Sequence, residues 1–498
     1  MNADHRLKPT IHHLIRDLAV YGAGDLILRA AAFFTLPIYT RIFGPEQYGI
    51  WSLVTTIIGL LSIILSLGGD TTYARFFFDA RTGREKRLVT STWFGFLFLW
   101  SLSLVSLWLL MSRYLSQWTL GTDQYGILFL LALLAAPLSL MNNMCSQVLR
   151  NQFQSKLFSA LNIISMILSV GLGLYAAVVM DLGLTGIFGG TFVAACLMFP
   201  LRLWTIRSLL GPLFSLPLLK RLLLFTFPLV PMALAYWVFS LSDRVVLGKL
   251  STLDQVGLYG IAFTLTGLLS FVNASFGQAW APIALKIYEE ERDRAPIFFG
   301  RVMTHLLVGF GLLSVLITTF AKELLIVLST SAYYPAASAV GPLALATTAS
   351  ASTHVTALSI SLTMRTKYFA YYSWLAALLN LGLNILFVPR WGMLAASWTT
   401  AVSYLFLTVS YSITSQRLWA VKYETSKIFR VAALTLLFTV GVAFFPEMPL
   451  WLGVLFKSGY CFFFVGLLFA LRVVDRQEWA VLLTSIVRRK VLVTETVE

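Results

Sequence analysis

Apolar runs of about 18 residues or more, almost free of charge, recur along the whole chain, and they fix the solvent in which it can fold. A helix of that length matches the hydrocarbon thickness of a bilayer, because each residue adds about 1.5 Å. Charged residues make up 12% of the 498 and hydrophobic residues 58%, whereas soluble domains carry roughly 25% charged residues. No single soluble core would bury so many runs. The chain is expected to be an all-α polytopic membrane protein.

Fourteen spans are expected, near 18–40, 48–68, 90–112, 124–147, 157–180, 183–204, 222–243, 256–278, 301–321, 336–363, 369–388, 392–414, 429–446 and 450–471. Residues 1–17 are polar, and the first apolar run continues into a full-length span, so no cleavable signal peptide is expected. With the N-terminus placed in the cytoplasm, 29 of the 37 Lys and Arg residues fall on the cytoplasmic side. The other eight are Arg29, Arg41, Arg113, Arg244, Lys249, Lys322, Arg390 and Lys457. Short loops retain basic residues in the cytoplasm, so both termini are assigned there. The net charge of +15 is then mostly topological, and no nucleic-acid partner is implied.

Several chemistries lack their residues. Cys145, Cys196 and Cys461 lie far apart in apolar runs, with no metal-ligand spacing, and read as buried small hydrophobes. No GxxxxGK[ST] segment occurs, and no nucleophile–histidine or paired acid–base constellation stands out. The chain is expected to be neither an enzyme nor a holder of a metal or cofactor. Its longest loop, about 279–300, contains Glu289-Glu290-Glu291-Arg292-Asp293-Arg294 and reads as solvated.

The sequence also repeats itself at an offset near 210. Tyr48-Gly49-Ile50 with Gly59-Leu60-Leu61-Ser62 recurs as Tyr259-Gly260-Ile261 with Gly267-Leu268-Leu269-Ser270, and Gly183 and Thr191 match Gly392 and Thr400. Six spans per copy make the halves parallel repeats. Residues 1–208 and 209–418 are expected to form two six-helix lobes, with two further helices and a tail in 419–498.

One segment carries a resemblance. Pro37-Ile38-Tyr39-Thr40-Arg41-Ile42-Phe43-Gly44-Pro45-Glu46-Gln47-Tyr48-Gly49 resembles the opening of polysaccharide transporters. These are the O-antigen flippase group of the multidrug/oligosaccharidyl-lipid/polysaccharide exporter superfamily. Ser242–Lys249, Val256-Gly257-Leu258-Tyr259, Asn380–Leu386, Pro389-Arg390-Trp391-Gly392 and Ala395-Ala396 extend it. The resemblance covers about 15–415 and is weaker in the last two spans. It implies two lobes around a central cavity, in a bacterial inner membrane, and a cargo of undecaprenyl-pyrophosphate-linked glycans. Membrane lipid is the other partner, with glycan polymerase or export proteins beside it. The group has no shared catalytic motif to carry over.

Such a cargo needs hydrogen-bonding groups and positive charge at membrane depth, because each unsatisfied hydroxyl costs several kcal/mol in hydrocarbon. Asp25 and Arg29 share one face of span one, either as a neutralising pair that fixes packing or as cavity residues. Asp243 and Arg244 end span seven, and Arg41 ends span one. These read either as interfacial anchors or, more sharply, as an extracytoplasmic gate (Arg41, Asp243) beside a pyrophosphate-attracting Arg244. Asn142, Asn143 and Gln147 in span four, Asn273, Gln278 and Trp280 in and after span eight, and His354 in span ten suit a sugar path. For each, helix–helix hydrogen bonding is the plainer reading. His305 and His354 leave proton coupling open, and snorkelling of Lys457 is one open reading on which nothing is staked. Pro228, Pro231, Gly22 and Gly24 are candidate bends.

The function expected is a flippase working by alternating access, driven by an ion gradient, the membrane potential or downstream use of cargo. The alternatives are a cation-coupled drug exporter of the same fold and a non-transporting scaffold of a glycan-synthesis complex.

Overall fold

The computed structural model describes residues 33–446 and 448–473. All regular structure among them is helical, and they divide into two compact units. One runs up to Gly260 and includes Leu381–Met393; the other comprises Ile261–Asn380 and the residues from Leu394 onward.

In the first unit, residues 33–42 are helical, and extended Gly44 places Pro45 at the first position of α1 (Pro45–Ser66). Proline suits that position because its missing N–H would have no partner there. Leu67 and Gly68 take left-handed conformations, which ends α1 and starts α2 (Gly69–Asp79). A reciprocal Thr82–Glu85 capping box opens α3 (Gly83–Leu110). Then follow α4 (Ser112–Leu120), α5 (Gly126–Asn151), α6 (Ser155–Leu174) and α7 (Gly183–Ile206). Ser215 caps α8 (Leu216–Thr226), which breaks at Phe227-Pro228 before α9 (Leu229–Leu250). Pro228, a candidate bend, thus stands at a helix boundary, with backbone dihedrals that stay in the right-handed helical region. The start of α10 (Leu253–Glu290) completes the set. Tyr73, Phe77, Trp93, Cys145 and Leu222 share the core, while Leu99, Leu107 and Leu110 of α3 face outward. Burial against protein gains little over lipid, so close packing and polar bonds hold such helices together. Trp237 of α9 donates to the Thr56 carbonyl of α1 at 3.2 Å, and Thr72 of α2 bonds Thr226 of α8.

The second unit continues α10 and adds α11 (Ala295–Thr319), α12 (Ala321–Leu328), α13 (Ala337–Thr356), most of α14 (Lys367–Leu418), α15 (Thr425–Gly441) and α16 (Leu450–Ala470). Trp280, Phe299, Phe310, Val355, Phe438 and Phe464 form its core. Helix α14 is two helices in one, because Gly392 has φ 52° and ψ −133°. In the first unit, the Gln255 carboxamide accepts from the N–H of Met393 at 3.0 Å, beside this break. Gly183, the repeat partner of Gly392, also has positive φ, 54°.

Eleven helices among the described residues are long and apolar enough to span a membrane. Expected spans eleven and twelve share α14, and span ten is the helix α13, rich in Ala, Ser and Thr. Span one falls mostly outside the described residues.

Two expectations need correction, the loop at 279–300 and Cys196, and the open reading of Lys457 is decided. The loop at 279–300 is largely helix: α10 runs to Glu290 and α11 begins at Ala295. Lys286 and Glu290 face each other one turn apart there, at 3.9 Å. Lys457 does not snorkel; its Nζ lies 2.7 Å from Glu323 of α12, because a paired ammonium is cheaper at that depth than an isolated one. Cys196 is exposed, a small apolar group on an outward surface of α7.

Candidate functional site

Three polar clusters and one groove stand out, each within a single unit. The first lies on α5. Asn142 turns inward, its amide donating to the Ala195 carbonyl at 3.0 Å. Beside it sits Arg202 of α7, only 4% exposed. Its guanidinium donates to the carbonyls of Asn142 (3.1 Å) and Leu161 (3.0 Å), the Asn162 Oδ1 (3.0 Å) and the Ser146 hydroxyl. One cation thus ties α5, α6 and α7 together through neutral acceptors. Asn143 and Gln147, on the adjacent face, keep accessible surface. The carboxylate of Asp70 from α2 lies near Asn143 and within electrostatic reach of Arg150. Asn143, Gln147 and Arg150 follow i, i+4, i+7 spacing, so they form one polar stripe.

The second cluster is at the end of α9. Asp243 is 1% exposed; it accepts from the Tyr259 hydroxyl and the Asn384 amide, each at 2.6 Å. Arg244, 8% exposed, lies over the Tyr259 ring at 5.9 Å. A charged residue is tolerated at such depth only with strong partners, and the Tyr259 hydroxyl and the Asn384 amide are among those of Asp243. Arg41 is exposed and donates to the Pro37 carbonyl of its own helix at 3.1 Å.

The third cluster brings together Asn273, Trp280 and His354. The His354 Nε2 and the Asn273 Oδ1 are 2.9 Å apart, the Asn273 amide reaches Ser350 at 3.3 Å, and Trp280 donates to the His354 carbonyl at 3.1 Å. Trp280 is buried against Phe276, Phe298 and Phe299, so its ring serves packing. Gln278 is exposed on the same helix. His305 bonds the Arg301 carbonyl one turn back.

Helices α11, α13, α14 and α15 enclose a groove of about 790 Å³ lined by Leu307, Leu345, Leu405, Ile428, Phe429 and Leu436 among others. Ser352 donates to the Thr348 carbonyl and Thr408 to the Ala349 carbonyl, whereas the hydroxyls of Thr356, Thr435 and Tyr423 are buried without a partner among the described residues. The rest of the wall is mostly apolar. At its end burial pushes Tyr423 up to about 12, so that phenol stays neutral at any physiological pH.

Asp25 and Arg29 lie outside the described residues. Arg202, Asp70, Tyr259 and Asn384 went unrecognised in the sequence. A charge inside an apolar run is the signal that exposes Arg202; Tyr259 and Asn384 stand in the motifs of the resemblance, which do not show that they meet Asp243.

The fold is that of flippases and exporters. It matches "Lipid II flippase MurJ, inward closed conformation" with a TM-score of 0.73 at 13% identity, covering 91% of this chain and 99% of that one. It matches an inward-facing multidrug resistance MATE family transporter with a TM-score of 0.65 at 13% identity, over 81% and 96% of the two chains. A stretch of 101 residues is 32% identical to an uncharacterized membrane protein of Haemophilus influenzae, covering 20% of this chain and 25% of that relative. The profile of the polysaccharide biosynthesis proteins matches residues 14–288, more than half of the chain. The protein is a multi-pass membrane protein and belongs to the polysaccharide biosynthesis protein family.

Proposed function

We propose that this protein is a flippase carrying undecaprenyl-pyrophosphate-linked oligosaccharide units from the cytoplasmic to the outer leaflet of a bacterial inner membrane, by alternating access. Membership of the polysaccharide biosynthesis family over residues 14–288 is the observation that carries this reading; the exporter fold supports it. In this proposal fourteen spans form two six-helix lobes, 1–208 and 209–418, and an added pair in 419–498, with both termini cytoplasmic.

The stripe of Asn143, Gln147 and Arg150 would offer sugar hydroxyls the bonds they lose on leaving water. Asn142 would hold that wall in place; in the second unit Trp280 would support Asn273, Gln278 and His354, which offer further polar contacts. Arg29, beside Asp25, would attract the pyrophosphate. Arg244 would join it once the knot of Asp243, Tyr259 and Asn384 opens, and that knot, with Arg41, would serve as the outer gate. The groove beside α15 would take the prenyl tail, because most of its lining, Leu307, Leu345, Leu405, Ile428 and Leu436 among it, is apolar. Glycan polymerase or export proteins would receive the product.

A second reading has one observation in its favour. Asp70 keeps accessible surface on α2, as a cation-coupled drug exporter of the same fold would require. The deciding measurement is the leaflet location of lipid-linked glycans in cells with and without the protein. Accumulation on the cytoplasmic leaflet, corrected by the intact gene and not by an Arg29→Ala variant expressed at normal level, is the expected result. Unchanged distribution together with altered sensitivity to cationic drugs would overturn it.

A further inference from the structure

The short helix α4 stands where spanning helices end. It follows α3, which stops at Leu110, and precedes α5, which starts at Gly126. It packs on α5 and touches α9, whose last turn carries Lys249. Since α3 and α5 are long and apolar enough to cross a membrane and α9 closes a third such stretch, α4 lies at the boundary of the hydrocarbon. The Lys249 ammonium is 5.1 Å from the centre of the Trp118 ring of α4.

Residues of a helix are about 100° apart around its axis, and on that wheel α4 has three sides instead of two. Ser112, Ser116 and Thr119 form a buried side, with Ser116 donating to the Thr122 carbonyl and Thr119 to the Leu115 carbonyl. Beyond one edge of it come Met111, which caps the helix, Tyr114 and Trp118, exposed by 38%, 63% and 47%. Beyond the other edge come Arg113 and Gln117, also exposed. Leu107 and Leu110 of α3 face outward and lead into the apolar side. A helix wholly in water has no use for an exposed apolar side, and one wholly in hydrocarbon does not tolerate an exposed Arg and Gln. A helix lying along the boundary uses both, with Trp and Tyr at the level of the headgroups. In the second unit α12 follows α11 as α4 follows α3, and it sets exposed Lys322 and Val327 where α4 has Arg113 and Trp118.

We propose that α4 is an in-plane membrane anchor whose partner is the phospholipid headgroup layer. Met111, Tyr114 and Trp118 enter the upper acyl region, Gln117 meets water, and Arg113 and Lys249 meet lipid phosphates. The ring under Lys249 holds that ammonium on one side only and leaves N–H groups for a phosphate. The anchor fixes the depth at which α3, α5 and α9 end. It depends neither on the transport proposal nor on which leaflet lies at this end.

The test uses the full chain in phospholipid nanodiscs, with Cys196→Ala removing the exposed thiol; Cys145 and Cys461 are buried. Spin labels are placed singly through Tyr114→Cys, Gln117→Cys and, as a water reference between α4 and α5, Gln124→Cys. Collisions with oxygen, which concentrates in hydrocarbon, are compared with collisions with a water-soluble nickel chelate. The oxygen-to-nickel ratio at 114 should exceed that at 117 several-fold, and 117 should match 124. Equal, water-like ratios at 114 and 117 would overturn the anchor, as would equal, lipid-like ones. Shielding of 114 from both reagents would also overturn it, and would mean that a protein covers this face. Should Tyr114→Cys fail to fold, Met111→Cys reads the same side. Replacing phosphatidylcholine by phosphatidylglycerol should raise the unfolding midpoint less in Arg113→Gln/Lys249→Gln than in the unaltered protein. An equal rise would overturn the part given to the two cations.

Discussion

Gly49 of α1 and Gly257 of α10 face each other with no room for a side chain between them. A methyl group on Gly49 would lie 2.0 Å from the Leu253 carbonyl oxygen, and one on Gly257 would lie 1.9 Å from that of Pro45. Both sit in the paired motifs Tyr48-Gly49 and Val256-Gly257-Leu258-Tyr259, so the signature of the repeat is where its two copies touch, with Tyr48 also against Gly260. Small residues let membrane helices approach closely enough for dispersion to hold them.

Gly49→Ala and Gly257→Ala should therefore each destabilise the protein by about 1–3 kcal/mol, the usual cost of overpacking. Gly59→Ala, on the same helix with its nearest neighbour 3.9 Å away, should be close to neutral or slightly stabilising. Unfolding midpoints of the three purified variants check this. Equal effects at Gly49 and Gly59 would mean that helix propensity, not contact, sets the result.

Asp243 is the acceptor on which Tyr259 and Asn384 both depend. Tyr259→Phe should cost about 1.5–3 kcal/mol, the value of a hydrogen bond to a charged group. Asp243→Ala, which removes the acceptor of two buried donors, should cost more, about 3–5 kcal/mol. Asn384→Asp should be worse than Asn384→Ala, because it sets a second carboxylate where the amide now donates at 2.6 Å. Chemical unfolding in micelles would rank them; a harmless Asn384→Asp would contradict the arrangement.

Glu424, just before α15, has its pKa lowered. Burial acts to raise it, but bonds from Lys427 and Thr304 and the charges of Lys427 and Arg301 outweigh that. A carboxylate with a depressed folded pKa adds stability above its unfolded value and loses it as pH falls through the folded one. Stability should therefore drop as pH falls below the ordinary value of 4.5. The loss should stay below about 1 kcal/mol, because the pair is partly solvated. Comparing the protein with Glu424→Gln at pH 7 and pH 4 isolates it, since the variant should lack this share of the pH dependence.

The sequence by itself determined the solvent, the helical class and the family resemblance. Long uncharged runs such as 90–112 admit only one hydrogen-bonded backbone in hydrocarbon, and the motif at Pro37–Gly49 is a local string. Candidates that work through neighbours in sequence were also legible: Asp243 beside Arg244, and Asn142 and Asn143 one turn from Gln147. What only the tertiary structure decided is which way those side chains point and what they meet. Asn142 and Asn143 are adjacent in sequence, yet one is buried against the Ala195 carbonyl and the other is exposed. Lys457 finds Glu323 across 134 positions, and Asp243 finds Asn384 across 141. In a chain where nearly every span is apolar on all sides, hydrophobic periodicity does not mark an inner face. Orientation is set by close contacts and scarce polar bonds between distant helices, and those exist only once the helices have packed.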